Sequence, residues 1–387
     1  MNEFDNILDR RGNGSKKWDA HYIEKRFKTN RADIYPLFIA DTDFKPDKKV
    51  QEKFIDVIKK GDFGYFDVSD AFFNSIVDWY QSKLRTSIDK SWIIPANGTI
   101  ASLHLAAHVV ADNKPILLFT PVYGVFKDIA SNFGERVTFP LNLEENGYTI
   151  DFELLEETIK EKRIQTILFC NPHNPSGKIW SNEELTKLVY LCKAYGIILL
   201  SDEIHGEINV SDKPFNSLIH YMNVYPNIIV SSSPNKSFNL SGLNASYLIV
   251  KDEALRAVIN AELKKFHITI NRVGMEFIRI VYTYGNEWHI RMIQQIKTNI
   301  QLVEKLLNSS QIQIEKPDSG YLIWMKLNKI EDIDSFVIEL AKETGVLIET
   351  GSRFIENYEN YVRINVATSS DLLTTAIKKF KEYYDHY

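Results

Sequence analysis

Gln165-Thr-Ile-Leu-Phe-Cys170 runs straight into Asn171-Pro-His-Asn-Pro-Ser-Gly177, and Gly196-Ile-Ile-Leu-Leu-Ser201 runs straight into Asp202-Glu-Ile-His205. Each holds a short, unbroken apolar run, the pattern of a strand buried on both faces. Each run stops at a cluster of polar residues. Between them, Ser181-Asn-Glu-Glu184 reads as a capping box that opens a helix to Tyr195. Strand, helix and strand of this kind imply a mostly parallel sheet with helices on both faces. Ligand sites in such sheets lie beyond the carboxyl ends of the strands, where these polar clusters stand.

Outward from this core the same alternation continues. Upstream, Ile93-Ile94 leads into Ala96-Asn-Gly-Thr99 and a helix through Val110, Pro115–Phe119 leads into Thr120-Pro-Val-Tyr123 and a helix, and Arg136–Pro140 reads as a strand. Downstream, Asn227-Ile-Ile-Val230 and Ala245-Ser-Tyr-Leu-Ile-Val250 flank the polar loop Ser231-Ser-Ser-Pro-Asn-Lys-Ser-Phe-Asn-Leu-Ser-Gly-Leu243. Residues 47–60 and 67–84 carry apolar side chains at helical spacing. Residues 1–46 show little helical periodicity and read as an arm. Past residue 286 a long helix precedes strands at 311–315, 320–327, 346–349 and 361–365, then a final helix from Ser369. The expected fold class is α/β: a seven-stranded-type, mostly parallel sheet in a large domain (47–286), and a smaller α+β domain (287–387) that the arm 1–46 joins.

The 387 residues carry a net charge of −5, which implies no broad basic surface for nucleic acid. No apolar run approaches the ~20 residues that span a bilayer, and no secretory signal is visible, so a soluble cytoplasmic protein is expected. Cys170 and Cys192 lie in apolar segments without a CxxC partner and read as buried thiols; no metal site is expected. Asp41 and Asp43 read as turn or cap residues.

Four polar groups stand at strand ends or in loops: Asn174, Asp202, Lys236 and Arg363. A loop lysine is ordinarily solvated, but one shielded among small residues has a lowered pKa and a nucleophilic amine. Asp202 closes an apolar strand and needs a cationic or donor partner; a protonated pyridine nitrogen would serve. The two prolines around Asn174 fix its turn. An imine-forming lysine, an acid for a ring nitrogen and a donor for a ring oxygen are what pyridoxal 5′-phosphate requires.

With Asp202 following Asn174 by 28 residues, Lys236 following Asp202 by 34, and Arg363 in an Arg-X-Asn context, the chain resembles the fold-type I pyridoxal-phosphate enzymes of the class I/II aminotransferase superfamily. Within it, the chain is most similar to the cystathionine β-lyase-like C–S lyases. Phe4-Asp-Asn-Ile-Leu-Asp-Arg-Arg-Gly12, Ser15-Lys-Lys-Trp-Asp19, Ile39-Ala-Asp-Thr-Asp-Phe44, Phe63-Gly-Tyr65, Thr120–Tyr123, Ser201–His205 and Ser233-Pro-Asn-Lys-Ser-Phe-Asn-Leu240 carry that similarity. His205 stands where aspartate-type aminotransferases have Tyr. The resemblance implies these roles: Lys236 binds the cofactor covalently and moves the Cα proton, Asp202 faces the ring nitrogen, Asn174 donates to the ring oxygen, and Tyr123 stacks on the ring. It also implies that Gly98, Thr99 and Ser233 hold the phosphate, that Tyr65 reaches the phosphate of a neighbouring subunit in a homodimer, and that Arg363 takes the substrate carboxylate. His205 joins the cofactor set or is a structural histidine. Catalysis is assigned to Lys236, Asp202 and Tyr123.

The implied reaction is β-elimination from L-cystathionine or a related cysteine conjugate, giving a thiol, pyruvate and ammonia. The alternatives are transamination of an L-amino acid, or a regulatory cofactor-binding protein with little turnover. The chain departs from the lyase branch around Lys236 (Pro-Asn-Lys-Ser for Pro-Ser-Lys-Thr), at Asp41-Thr-Asp43, at Thr368-Ser-Ser370, and in the segment 349–361 before Arg363. The last two lie near the substrate arginine, so they bear on substrate and reaction type.

Overall fold

The computed structural model describes residues 3–145, 147–308, 311–356 and 358–387. Its centre is a seven-stranded sheet: β1 (Ile93–Ala96), β2 (Ile116–Thr120), β3 (Arg136–Pro140), β4 (Thr166–Cys170), β5 (Ile198–Asp202), β6 (Ile228–Ser232) and β7 (Ser246–Val250), in spatial order β1-β7-β6-β5-β4-β2-β3. Only β7 runs antiparallel to its neighbours. Every residue of β2, β4, β6 and β7 is buried, as continuous apolar runs covered on both faces require. The register sets Cys170 and Ser231 on either side of Asp202, so three strand ends converge on one point.

Local signals set the element ends. Ser181 and Glu184 form the reciprocal capping box, and Gly196 at φ 66° ends that helix, Asn182–Tyr195. The helix expected over 67–84 begins at Asp70, capped by Ser69, and its α-form ends at Trp79; Tyr80–Leu84 continue as a π turn. A second sheet holds β8 (Ile312–Glu315), β9 (Leu322–Leu327), β10 (Glu349–Thr350) and β11 (Tyr361–Asn365), in the order β8-β9-β11-β10. The helix Asn286–Leu306 touches both regions. Near its start, Trp288 stacks on Phe238 from the loop after β6, and further along Asn299 Nδ2 donates to the carbonyls of Val366 and Thr368 after β11.

The first 46 residues are more structured than their periodicity suggests. Helix α1 (Ala20–Phe27), capped by Asp19, buries Ile23 and Phe27. Two apolar anchors in eight residues are too few to show a period. Tyr35–Pro36 then pairs in parallel with Val346–Leu347. Asp43 is neither turn nor cap. It is fully buried, 2.8 Å from the equally buried Lys17 ammonium, and takes the Trp18 indole N–H at 2.9 Å. A buried charge that loses its partner is costly, so Asp43→Ala is expected to destabilise the fold by about 3–5 kcal/mol. Urea unfolding reads this as a lowered midpoint, and adding Lys17→Met restores part of it. An unchanged midpoint in the single variant would mean that the pair carries no structural weight.

Candidate active site

A cavity of about 470 Å³ opens beyond the carboxyl ends of β4 and β5 and gathers Gly98, Thr99, Tyr123, Asn174, Asp202, His205, Lys236 and Arg363. Lys236 is part-buried, and its Nζ donates to the Ala40 carbonyl at 2.7 Å. Burial lowers its pKa to about 8; Asp41 opposes the shift, and Arg363 adds to it. The loop is braced from below. Ser237 Oγ donates to Glu207, which also accepts from Trp79 Nε1 at 3.1 Å and the Tyr282 hydroxyl at 2.5 Å.

Asp202 is 6% exposed and accepts the Ile204 N–H at 3.2 Å. Burial pushes its pKa up to about 6, against the pull of that N–H and of Lys236. A carboxylate so placed is stabilised by a cationic ring nitrogen. The turn bearing Asn174 is pinned by His173. Its Nε2 lies 2.8 Å from the Pro121 carbonyl and its Nδ1 2.8 Å from Ser176 Oγ. Burial lowers the His173 pKa to about 4, so the ring is neutral, with Nε2–H donating to the carbonyl. Asn174 Oδ1 accepts from Arg363 Nη1 at 2.9 Å, which turns the amide N–H₂ to other partners.

Helix α2 (Thr99–Ala111) points its N-terminus at the same cavity. Its N-cap, Gly98, sits at φ 92°, a conformation that favours glycine, and no side chain caps the helix. Thr99 Oγ1 is buried without a hydrogen-bond partner. Uncapped amides and an orphan hydroxyl at a helix N-terminus suit a phosphate. Asn244 and Ser241 line this end too. His205 is buried, its pKa lowered to about 3 by burial, so the ring is neutral beside Tyr321.

At the other end, Arg363 is buried and its guanidinium lies 4.9 Å from the centroid of the Phe354 ring. Its Nε has no hydrogen-bond partner, and burial lowers its pKa despite the nearby Glu349. Phe354–Ile355 pairs with Val122–Tyr123. A Cβ on Gly124 would stand 2.3 Å from the Arg353 carbonyl, so glycine permits this approach.

Ser233 and Tyr65 do not line this cavity, and Tyr65 is expected at a neighbouring subunit's site. Ser233 is fully buried and does not line the cavity. Its hydroxyl donates to the Ala245 carbonyl at 2.8 Å and accepts the Asn235 N–H at 3.2 Å, bracing the loop. Tyr65 is fully exposed, outside its own chain's cavity. Sequence reading missed Arg26, Glu349 and Arg353, which line the substrate end, and the Ala40 carbonyl, a backbone group that leaves no signature. Cys170 lines the cavity as a free buried thiol, and Cys192 is also buried and free. Among the described residues there is no His/Cys/Asp/Glu cluster able to hold a metal, and no helix long and apolar enough to cross a membrane.

The family model for aminotransferase class I and II matches residues 37–380. The chain belongs to this family. It is 28% identical to cystathionine beta-lyase PatB of Bacillus subtilis, over 98% of both chains, and 27% identical to protein MalY of Escherichia coli, over 94% of both. The crystal structure of a PLP-bound C-S lyase from Staphylococcus hominis superposes with a TM-score of 0.89 at 26% identity, covering 98% of this chain and 97% of that one. The fold is that of the type I pyridoxal-phosphate enzymes, and the residues present fit that cofactor: an amine, a buried acid and an uncapped helix end surround one cavity.

Proposed function

We propose that this protein is a pyridoxal-phosphate-dependent C–S β-lyase acting on L-cystathionine or related cysteine thioethers. Pyridoxal 5′-phosphate is its cofactor. The observation that carries the reading is the Lys236 amine, set in one cavity with the buried Asp202 and the buried Arg363. Bound there, the cofactor supplies an aldehyde and an electron sink for a developing Cα carbanion. Asp202 supplies negative charge for the ring nitrogen, Asn174 an amide donor for the ring oxygen, Tyr123 a stacking face, and α2 its N–H groups for the phosphate. Arg363 takes the substrate α-carboxylate on its guanidinium. Lys236 Nζ, neutral in part near its pKa of about 8, removes the Cα proton. The C–S bond then breaks, the sulfur leaves as thiolate and picks up a proton, and water completes the release of pyruvate and ammonia.

The pairing of Tyr35–Pro36 with Val346–Leu347 supports an arm of residues 1–46 joined to a small domain of 287–387, with 47–286 as the cofactor domain. Exposed Ile55, Ile58, Phe63 and Tyr65 support a homodimer in which Tyr65 reaches the partner's phosphate site. Transamination uses the same first proton transfer, and the family's description keeps it as the second reading. The discriminating test is pyruvate release from L-cystathionine by the purified holoenzyme without any 2-oxo acid. Stoichiometric pyruvate and thiol support the lyase. Product that forms only with an added acceptor overturns it.

A further inference from the structure

Glu349 and Arg353, which precede β11 in the chain, line the substrate end of the cavity. Glu349 is the register partner of Arg363 across β10 and β11, so their side chains rise on the same face. Arg26, from α1, forms an ion pair with Glu349 Oε1 although 323 residues separate them, and Arg353 Nε lies 4.0 Å from the same oxygen. Among the described residues, Oε2 takes no hydrogen bond. Arg26 is held in place: its guanidinium carbon sits 4.9 Å from the Phe38 ring centroid and 5.1 Å from that of Phe27. The pairing of Phe354 with Tyr123 anchors Arg353 beside the cavity.

These groups exceed what the cofactor and one α-carboxylate use. Asp202 and Lys236 face the cofactor, and Arg363 takes the α-carboxylate. Arg26, Glu349 and Arg353 remain at the substrate end, two cations flanking a carboxylate with a free oxygen. That pattern complements a zwitterion: an ammonium on Glu349 Oε2 and a carboxylate on the guanidinium N–H groups of Arg26 and Arg353 that are not turned to Glu349 Oε1. A neutral alkyl or aryl arm would cover Glu349 Oε2 and the outer guanidinium N–H groups without offering them a partner.

We propose that Arg26, Glu349 and Arg353 recognise an amino-acid group at the far end of the substrate's sulfur arm. The preferred substrates are then thioethers that join two amino acids, rather than S-alkyl or S-aryl cysteines. The inference rests on the C–S lyase reading for its reaction, but not for its binding site.

The test compares kcat/KM for L-cystathionine and S-ethyl-L-cysteine in the holoenzyme and in Glu349→Gln, Arg26→Gln and Arg353→Gln. The expected result is a fall of about 30-fold or more in the cystathionine-to-ethyl selectivity ratio, carried by KM, as for loss of a charged contact at a binding surface. Arg353 is largely exposed, so its variant is expected to fold even where removal of the buried Glu349 does not. Equal losses on both substrates would assign the three residues a structural role and overturn the proposal, as would an unchanged ratio. If the unmodified enzyme releases pyruvate from neither thioether, the lyase reading has failed. Equilibrium dialysis of L-cystathionine then decides the site alone: binding at least about tenfold weaker in Arg353→Gln supports it, and equal binding overturns it.

Discussion

Lys236→Ala is expected to lower turnover by at least about 10³–10⁴-fold, the range for loss of a positioned acid–base group, and to remove the covalent link to the cofactor. Borohydride reduction followed by peptide mapping reads the second effect without any turnover. In the unmodified protein the cofactor's mass is expected on the peptide containing Lys236, and in the variant on none. The structure names one competitor, because Lys16 also lines the cavity. Lys16→Ala is therefore the control, with the label expected to stay on residue 236. Lys236→Arg is expected to be as inactive as the alanine variant, since a guanidinium keeps its proton and cannot act as nucleophile or base. Burial puts the Lys236 pKa at about 8, below the ordinary lysine value, so its reactive neutral form grows as pH rises through that point. Attachment of added cofactor to the stripped protein should accelerate over the same interval. A label found on Lys16, or turnover surviving in Lys236→Ala, would remove the central assignment.

What could be read from the sequence was what is local to a strand and its end. Runs such as Ile167-Leu-Phe-Cys170 and Ile197-Ile-Leu-Leu200 are apolar without alternation because both faces are covered, and the polar stretch beyond each reaches the cavity through Asn174 and Asp202, while Asn171 and Ser201 turn to Glu203. Asn174, Asp202 and Lys236 were legible for that reason. The setting of Ser233 was not legible because residue type does not say which way a hydroxyl turns; its loop directs that group to the Ala245 carbonyl. Helix α1 was hidden by its brevity, and with it Arg26, which in His21-Tyr-Ile-Glu-Lys-Arg26 looks like one more charge on a solvated face. Glu349 and Arg353 fall within the segment noted as a departure, yet their meaning depends on a partner from the other end of the chain. In that segment, Asn357 lies outside the described residues.

Arg363→Met is expected to cost about 10²–10³-fold in kcat/KM for any α-amino acid substrate, as for truncation of one member of a desolvated charge pair, with kcat falling less than KM rises. The size follows from the site. Arg363 is 4% exposed and its Nε is unpartnered, so a carboxylate meets little competition from water. Methionine keeps the packing against Phe354 while deleting the charge, so the measured loss reports on binding more than on a cavity. Arg363→Lys is expected to recover only a small part, because a point charge cannot reproduce a two-pronged contact or the bond to Asn174 Oδ1. The decisive comparison uses a substrate analogue without its α-carboxylate. If Arg363 binds that group, the analogue reacts equally poorly with the unmodified enzyme and with Arg363→Met, since the interaction is absent in both. If the analogue loses as much as the full amino acid on substitution, Arg363 acts by holding the Asn174 turn, and the α-carboxylate must bind elsewhere on the cavity wall.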